Sequence, residues 1–410
     1  MPRNPNATSP NENTAANSCC DTRYAPDIRL TITTPIQKAE KLPAVSPARM
    51  LRLTPPSREK GVAQRPTLSS SSCRFPAMTW FERLTGFKET SPQQVRAHLR
   101  VEGETLISAV NGRSYLHGRL ETPSLGELRQ RVMASASATD RLSLREIVAD
   151  VRALHVDPAH AGGLFQVASQ FNLLEMTSPR VTPERGVGIY ENDHTQGPAC
   201  AIAAGAGTIY RNYFVPLDGQ PGQSARRQID CLADLGAALD NPRQHWWRMQ
   251  NGYVLSSRQA LVQLSDRLRA ADEAERDRLR ASLRIGVQWD TQVTLQEAQH
   301  TVTQAYCSAL PVAYSHLPAE LWEPFGRLVL EAAYEATLCA AMLNASRTGN
   351  RRVFLTLLGG GAFGNDPVWI TSAIARALER YRRYDLEVAV VSHGVSKRDV
   401  QRLIETFRSV

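Results

Sequence analysis

The sequence predicts an α/β fold with helices on both faces of a largely parallel sheet. Three observations carry this. Short apolar runs rich in β-branched and aromatic residues alternate with helical periods along most of the chain. One of these runs, Val353–Leu358, empties into Gly359-Gly360-Gly361 and then into a helix. The 410 residues are 42% hydrophobic and 21% charged, the balance of a globular protein with ample length for a core.

The N-terminal stretch reads differently. Residues 1–77 hold 11 Lys/Arg against 5 Asp/Glu and 11 of the 24 prolines, with a serine run at Ser69–Ser72. Without a sustained period it cannot bury enough surface to fold, so a disordered basic tail is expected. Met78 opens MTWFERLTGF like a natural start. The tail takes +6 of the net charge of +8, which leaves +2 for the rest and argues against nucleic-acid binding by the folded part. Seven cysteines without a CxxC pair argue against a zinc site and suit a reducing, cytoplasmic setting. No uninterrupted apolar run reaches the ~20 residues of a spanning helix, so no membrane partner is expected.

Residues 78–160 are expected to form a hairpin-plus-helices segment packed on the core. Leu106–Leu120 alternates apolar and polar residues around Asn111-Gly112, which predicts a hairpin with a type I′ turn. A helix is expected over Ser124–Met133. A second is expected from Ser143, which with Glu146 has capping-box spacing ahead of Ile147, Val148, Val151 and Leu154. A buried strand starts at Leu164 and runs into Gln170, Asn172 and Glu175. Pro198 suits the first turn of an Ala/Gly-rich helix through Arg211, and 216–224 reads as a Pro/Gly loop. Ser256–Ser282 reads as a charged helix, Pro318 to about Ala345 as a long one. Further strands are expected at Leu283–Trp289, Val302–Leu310, Val353–Leu358 and Leu386–Val391.

The chemistry gathers at two bends. After Leu358, glycines without Cβ let main-chain N–H groups approach a phosphate, and the following helix, with Asp366 as cap and Pro367 in its first turn, favours negative charge. The segment lacks the Lys-Ser/Thr of a P-loop and the GxGxxG fingerprint. After the strand from Leu164, Gln170 and Asn172 offer carboxamides for ribose or base, and Glu175 a carboxylate for proton transfer. Ligands in such sheets sit outside the carboxyl ends of strands, so both bends are expected on one edge.

LTLLGGGAFGNDPVWITSAIARAL resembles the diphosphate-binding loop of macrodomains, especially the divergent branch related to poly(ADP-ribose) glycohydrolases. FQVASQFNLLE resembles that family's strand ending in an asparagine near the distal ribose, and TQGPACAIAAGAGTIYRNYF its Gln-led helix. The resemblance implies a three-layer α/β/α macrodomain-like mixed sheet over 161–410, with a large helical insertion about 219–314. It implies binding of ADP-ribose or an ADP-ribosylated macromolecule and hydrolysis of ADP-ribosyl linkages, with no metal and no cofactor. Asn172 would sit near the ribose, and Asn172 and Gln196 would orient it. Gln170 and Asp193 would add ligand contacts. Gly359, Gly360, Gly361, Ala362, Phe363 and Gly364 would wrap the diphosphate, and Asn365 would shape that loop. The family's Gln-Glu-Glu has no counterpart, since Gln196 is followed by Gly197-Pro198; Glu175 is the nearest carboxylate to the strand end, ahead of Glu184, Glu191 and Asp193.

Two other readings come from different chemistry. Cys200, near a helix start, with Gln196 as oxyanion donor and His393 or His194 as base, would make a cysteine hydrolase. A reader without catalysis would use the insertion Gly219–Tyr314 for interaction, with Trp246, Trp247 and Tyr253 as an aromatic patch.

Overall fold

The computed structural model describes residues 78–135, 141–241 and 243–409. The expected disordered tail, 1–77, lies outside them. Seven strands form the central sheet: β1 (Arg119–Glu121), β2 (Ser143–Val148), β3 (Leu164–Ala168), β4 (Gly286–Gln292), β5 (Thr301–Cys307), β6 (Arg352–Thr356) and β7 (Glu387–Ser392). Their order is β1-β4-β5-β3-β6-β7-β2. β5, β3, β6, β7 and β2 are parallel, and β4 runs antiparallel to both its neighbours, so the sheet is mixed.

Alternate side chains of one strand reach helices on opposite faces. Thr303 bonds Asn344 on one side, while Gln304 on the other donates to the Cys200 carbonyl. Likewise Gln166 reaches Thr337, and Phe165 stacks on His155. The first face carries Ala319–Thr348, whose length and hydropathy would let it cross a bilayer; here it lies in the core, with 83% of its most apolar window buried. Its Glu335 is fully buried and paired with Arg129, Arg376 and Arg380, which offsets the cost of burying the charge. The second face carries α1 (Val151–Val156), α2 (Gln196–Ala203) and α3 (Gly205–Tyr213). The expected single helix through Arg211 is thus two, broken at Ala204.

Three expectations are corrected. Ser143–Val148 is an edge strand and not a helix start; Glu146 accepts hydrogen bonds from Ser392, Ser396, Lys397 and Gln401, and the helix after it is capped by Asp150. The Leu106–Leu120 stretch pairs Thr105–Ser108 with Ser114–Leu116 through a longer loop in which only Gly112 of the Asn-Gly pair has positive φ, so it is not a type I′ turn; Leu120 belongs to β1 of the central sheet. Ser256–Ser282 is two helices, Arg258–Ala270 and Glu273–Ser282, the second capped by Asp272.

Between residues 219 and 314 the helices over Ala233–Ser282 are followed by β4 and β5 of the central sheet. A short hairpin, Arg248–Gln250 with Tyr253–Leu255, turns at Asn251 (φ 48°) and Gly252 (φ 78°), both positive as a type I′ turn requires. Its Gly252 carbonyl accepts from Phe171 N–H, and a Cβ on Gly252 would stand 2.6 Å from the Asn172 carboxamide oxygen. The hairpin therefore closes on the bend after β3.

Candidate active-site cleft

Because β3 and β6 are parallel neighbours, the bends after Ala168 and Thr356 leave the same edge. The strands pair in register only at Val353–Leu164 and Phe354–Phe165. Beyond that the Gln166 carboxamide takes the Thr356 N–H at 3.2 Å, and the strands part. A cavity of about 150 Å³ occupies the parting, lined by Gln170, Glu175, Asp193, Gln196, Gly197, Tyr253, Tyr314 and the loop from Leu357 to Phe363. A second hollow of about 550 Å³ adjoins it through Thr195, Gln196, Thr356, Leu357 and Gly361, and extends to Asp150, Arg152, Ile370, His393 and Lys397.

The glycine loop is anchored from below. The Tyr334 hydroxyl donates to the Thr356 carbonyl (2.7 Å) and accepts from Leu358 N–H (2.9 Å). Gly359 has φ +75°, and a Cβ there would collide with Ala309 and Asn365. Asn365 is buried, donates to the Leu310 carbonyl (2.7 Å), and sends its own N–H to Gly359. Asp366 caps Pro367–Arg380 by accepting from Val368 N–H. Among the described residues, the N–H groups of Gly359, Gly361, Ala362 and Phe363 donate to no protein acceptor, and all four residues line the cleft. The amides of three consecutive residues are thus left available to an acceptor. Gly360 lines the larger hollow, and Gly364 (φ +68°) packs on Ala313 outside it.

Glu175 lines the same cavity. It is 3% exposed, its Oε1 has no hydrogen-bond partner among the described residues, and its main-chain N–H donates to the Tyr190 hydroxyl. Burial raises its pKa well above the ordinary carboxyl value, Arg211 pulls the other way, and Asp193 adds to the rise. The surroundings thus favour the neutral form of this carboxyl over the charged one. It packs on Gly197, where any Cβ would overlap both it and the Ala168 carbonyl. Asp193, half-buried, accepts from the main-chain N–H and hydroxyl of Thr195. Tyr253, Tyr314 and Phe363 form a triangle of rings with centroids 5.3–5.5 Å apart on the cleft wall.

Other expected site residues are spent elsewhere. Asn172 is fully buried and does not line the cavity: it donates to Gln228 and accepts from Leu174 N–H, because the bend turns it inward against the Gly252 hairpin. Gln196 lines the cleft, but its carboxamide accepts from Ala168 N–H and donates to the Gln166 carbonyl and the Cys200 sulfur, closing the end of β3 as an extra strand residue would. Gln170 lines the cleft while accepting from Met176 N–H. The cysteine-hydrolase reading fails on burial: Cys200 has no exposed surface, and desolvation drives its thiol well above the ordinary range. The aromatic patch divides, with Trp247 packed on Phe325 in the core and Tyr253 in the cleft. Tyr314 and Tyr190 were not singled out by the sequence; nothing local marks them, since the contacts that bring them to the site are distant in the chain. Among the described residues no group of three His, Cys, Asp or Glu is placed to hold a metal.

Fold and cleft together define a mixed α/β protein with a crevice at the carboxyl edge of its sheet, lined by unpaired main-chain amides and a buried carboxyl. No family model and no curated protein sequence matches the chain. Among solved structures it is similar to a poly(ADP-ribose) glycohydrolase from Deinococcus radiodurans in complex with ADP-ribose, at 12% identity and a TM-score of 0.37, over 70% of this chain and 94% of that one. It is similar also to the poly(ADP-ribose) glycohydrolase from Thermomonospora curvata, at 15% identity and a TM-score of 0.37, over 78% of this chain and 96% of that one.

Proposed function

We propose that the cleft binds ADP-ribose, or the ADP-ribosyl group of a modified macromolecule, and hydrolyses the linkage at its distal ribose. The observation that carries this is the pairing of a buried carboxyl, Glu175, whose pKa burial raises, with unpartnered N–H groups at Gly361, Ala362 and Phe363 around one cavity. Those free amides suit a diphosphate. The compartment of about 150 Å³ beside Glu175 suits a single sugar, and the adjoining hollow, with Leu357, Ile370 and Ala199 in its wall, suits the nucleoside half.

In this reading Glu175 is the general acid. It donates its proton to the oxygen leaving the anomeric carbon, a role that requires a carboxyl kept neutral at working pH. Water adds to that carbon, and its proton passes to the Glu175 carboxylate, restoring the acid. Asp193, held by Thr195, stands on the same wall to orient that water. The rings of Tyr253, Tyr314 and Phe363 exclude bulk solvent.

Calorimetric titration of the full chain with ADP-ribose tests the binding. Gly361 has nothing within 4 Å of its Cβ position, so Gly361→Glu adds charge without steric cost. Saturable binding that this substitution abolishes is expected; equal binding by both proteins overturns the reading. Release of free ADP-ribose from poly(ADP-ribose) or from ADP-ribosylated protein then separates a hydrolase from a binder without turnover.

A further inference from the structure

Arg211 lies on α3 with no exposed surface. Its Nε donates to the Leu173 carbonyl (3.1 Å), its Nη2 to Thr208 Oγ1 (3.1 Å), and its guanidinium lies 3.7 Å over the Tyr306 ring. Leu173 has φ +64°, a left-handed conformation that is costly for a leucine and survives only where its surroundings enforce it. Two restraints do so here: the side chain fills the space above Gly286, and the carbonyl is held by Arg211. This reversal returns the chain to Gly197 two residues later, at Glu175.

A second observation concerns charge. Nη1 of Arg211 and Oε1 of Glu175 are both buried without a hydrogen-bond partner among the described residues, and the two groups attract each other without forming an ion pair. A buried guanidinium without a paired carboxylate is expensive, and a purely structural site would be served at lower cost by an apolar side chain.

We propose that Arg211 is the positioning residue of Glu175: through the Leu173 carbonyl it fixes where the carboxyl stands, and its charge, buried within electrostatic reach of that carboxyl, readies the group to part with its proton. This rests on the reading of Glu175 as the acid. Asp193 from the preceding loop acts against Arg211, and Tyr190, Tyr253, Tyr306 and Cys200 face the carboxyl's surroundings from the other elements packed there. Without the guanidinium the acid holds its proton more tightly, so the alkaline limb of the kcat profile moves to higher pH while kcat falls.

The test measures release of ADP-ribose from poly(ADP-ribose) by the full chain between pH 5 and 10, and ADP-ribose affinity by calorimetry, for wild type, Arg211→Met, Arg211→Lys and Glu175→Gln. Arg211→Met is expected to lower kcat about 100-fold, to move the alkaline limb up by about one unit, and to leave Kd within about threefold. Arg211→Lys keeps the charge and weakens the hold on Leu173: kcat falls about tenfold, with limb and Kd unchanged. Should Arg211→Met fail to fold, the lysine variant decides, and parallel losses of kcat and affinity, or no loss at all, overturn the proposal. A Glu175→Gln enzyme as active as wild type removes the underlying reading instead; an inactive Glu175→Gln beside an Arg211→Met with unchanged kcat and limb removes only the role of Arg211.

Discussion

The carboxyl of Glu175 occupies the space that a side chain on Gly197 would need. Glu175 lies beyond the bend after β3 and Gly197 at the start of α2, so the two elements meet at a point where only hydrogen fits. Gly197→Ala is expected to push the carboxyl out of place and to destabilise the fold by about 1–3 kcal/mol through overpacking. ADP-ribose release should fall more steeply than ADP-ribose affinity, which the diphosphate contacts sustain. Steady-state kinetics beside calorimetry and thermal melting check this.

Gly359 tests the other wall. Its φ of +75° and its closeness to Ala309 and Asn365 leave no room for alanine. Gly359→Ala should cost about 1–3 kcal/mol, and should weaken ADP-ribose binding because the amides of Gly361–Phe363 lose their alignment. Gly361→Ala, with open space around it, should bind as wild type.

The raised pKa of Glu175 has a signature in stability. Its folded pKa lies above the unfolded value, so above about pH 4.5 the unfolded chain releases a proton that the folded chain keeps, and stability declines as pH rises toward the folded pKa. Glu175→Gln removes this penalty. Its stability relative to wild type should therefore climb above pH 4.5, at most by about 1.4 kcal/mol per pH unit, and level off beyond the folded pKa. Urea unfolding at a series of pH values checks the slope.

Glu146 behaves in the opposite sense. Donors from Ser392, Ser396, Lys397 and Gln401 hold its pKa down to about 2. It staples Ser392–Lys397, which lines the larger hollow. Its contribution is complete above the ordinary carboxyl pKa and is lost as pH falls from there toward 2. Glu146→Ala should lower Tm modestly at pH 6, since the group is partly exposed, and the difference from wild type should close in acid. ADP-ribose affinity should fall severalfold if the nucleoside half occupies that hollow.

Much of the frame was legible in the sequence because it rests on local rules. The apolar run before three glycines gave β6 and its loop, and Asp366-Pro367 gave the helix start. The edge strand at Ser143–Val148 was hidden because a Ser and a Glu three apart satisfy a helix cap as readily as they satisfy a strand whose glutamate is claimed by Ser392 and Ser396. The same dipeptide misled in one place and went unused in another. Asn111-Gly112 sits in a wider loop, whereas Asn251-Gly252 makes the two-residue turn that brings Tyr253 to the cleft. The proximity of Glu175 to the cleft was read from its distance along the chain, but its raised pKa comes from burial, opposed by Arg211 and reinforced by Asp193, and no spacing rule connects it to these. Asn172 was misplaced because a left-handed leucine beside it turns the bend inward, and nothing in Leu173 as a residue type announces that conformation.

The central claim is that main-chain amides grip a diphosphate, and amide chemical-shift mapping of the labelled protein on addition of ADP-ribose addresses it directly. The N–H resonances of Gly361, Ala362 and Phe363 should move downfield together and saturate with the calorimetric Kd, while Gly364, already bonded to Gly361, moves less. Saturable binding that leaves those three resonances in place would contradict the account.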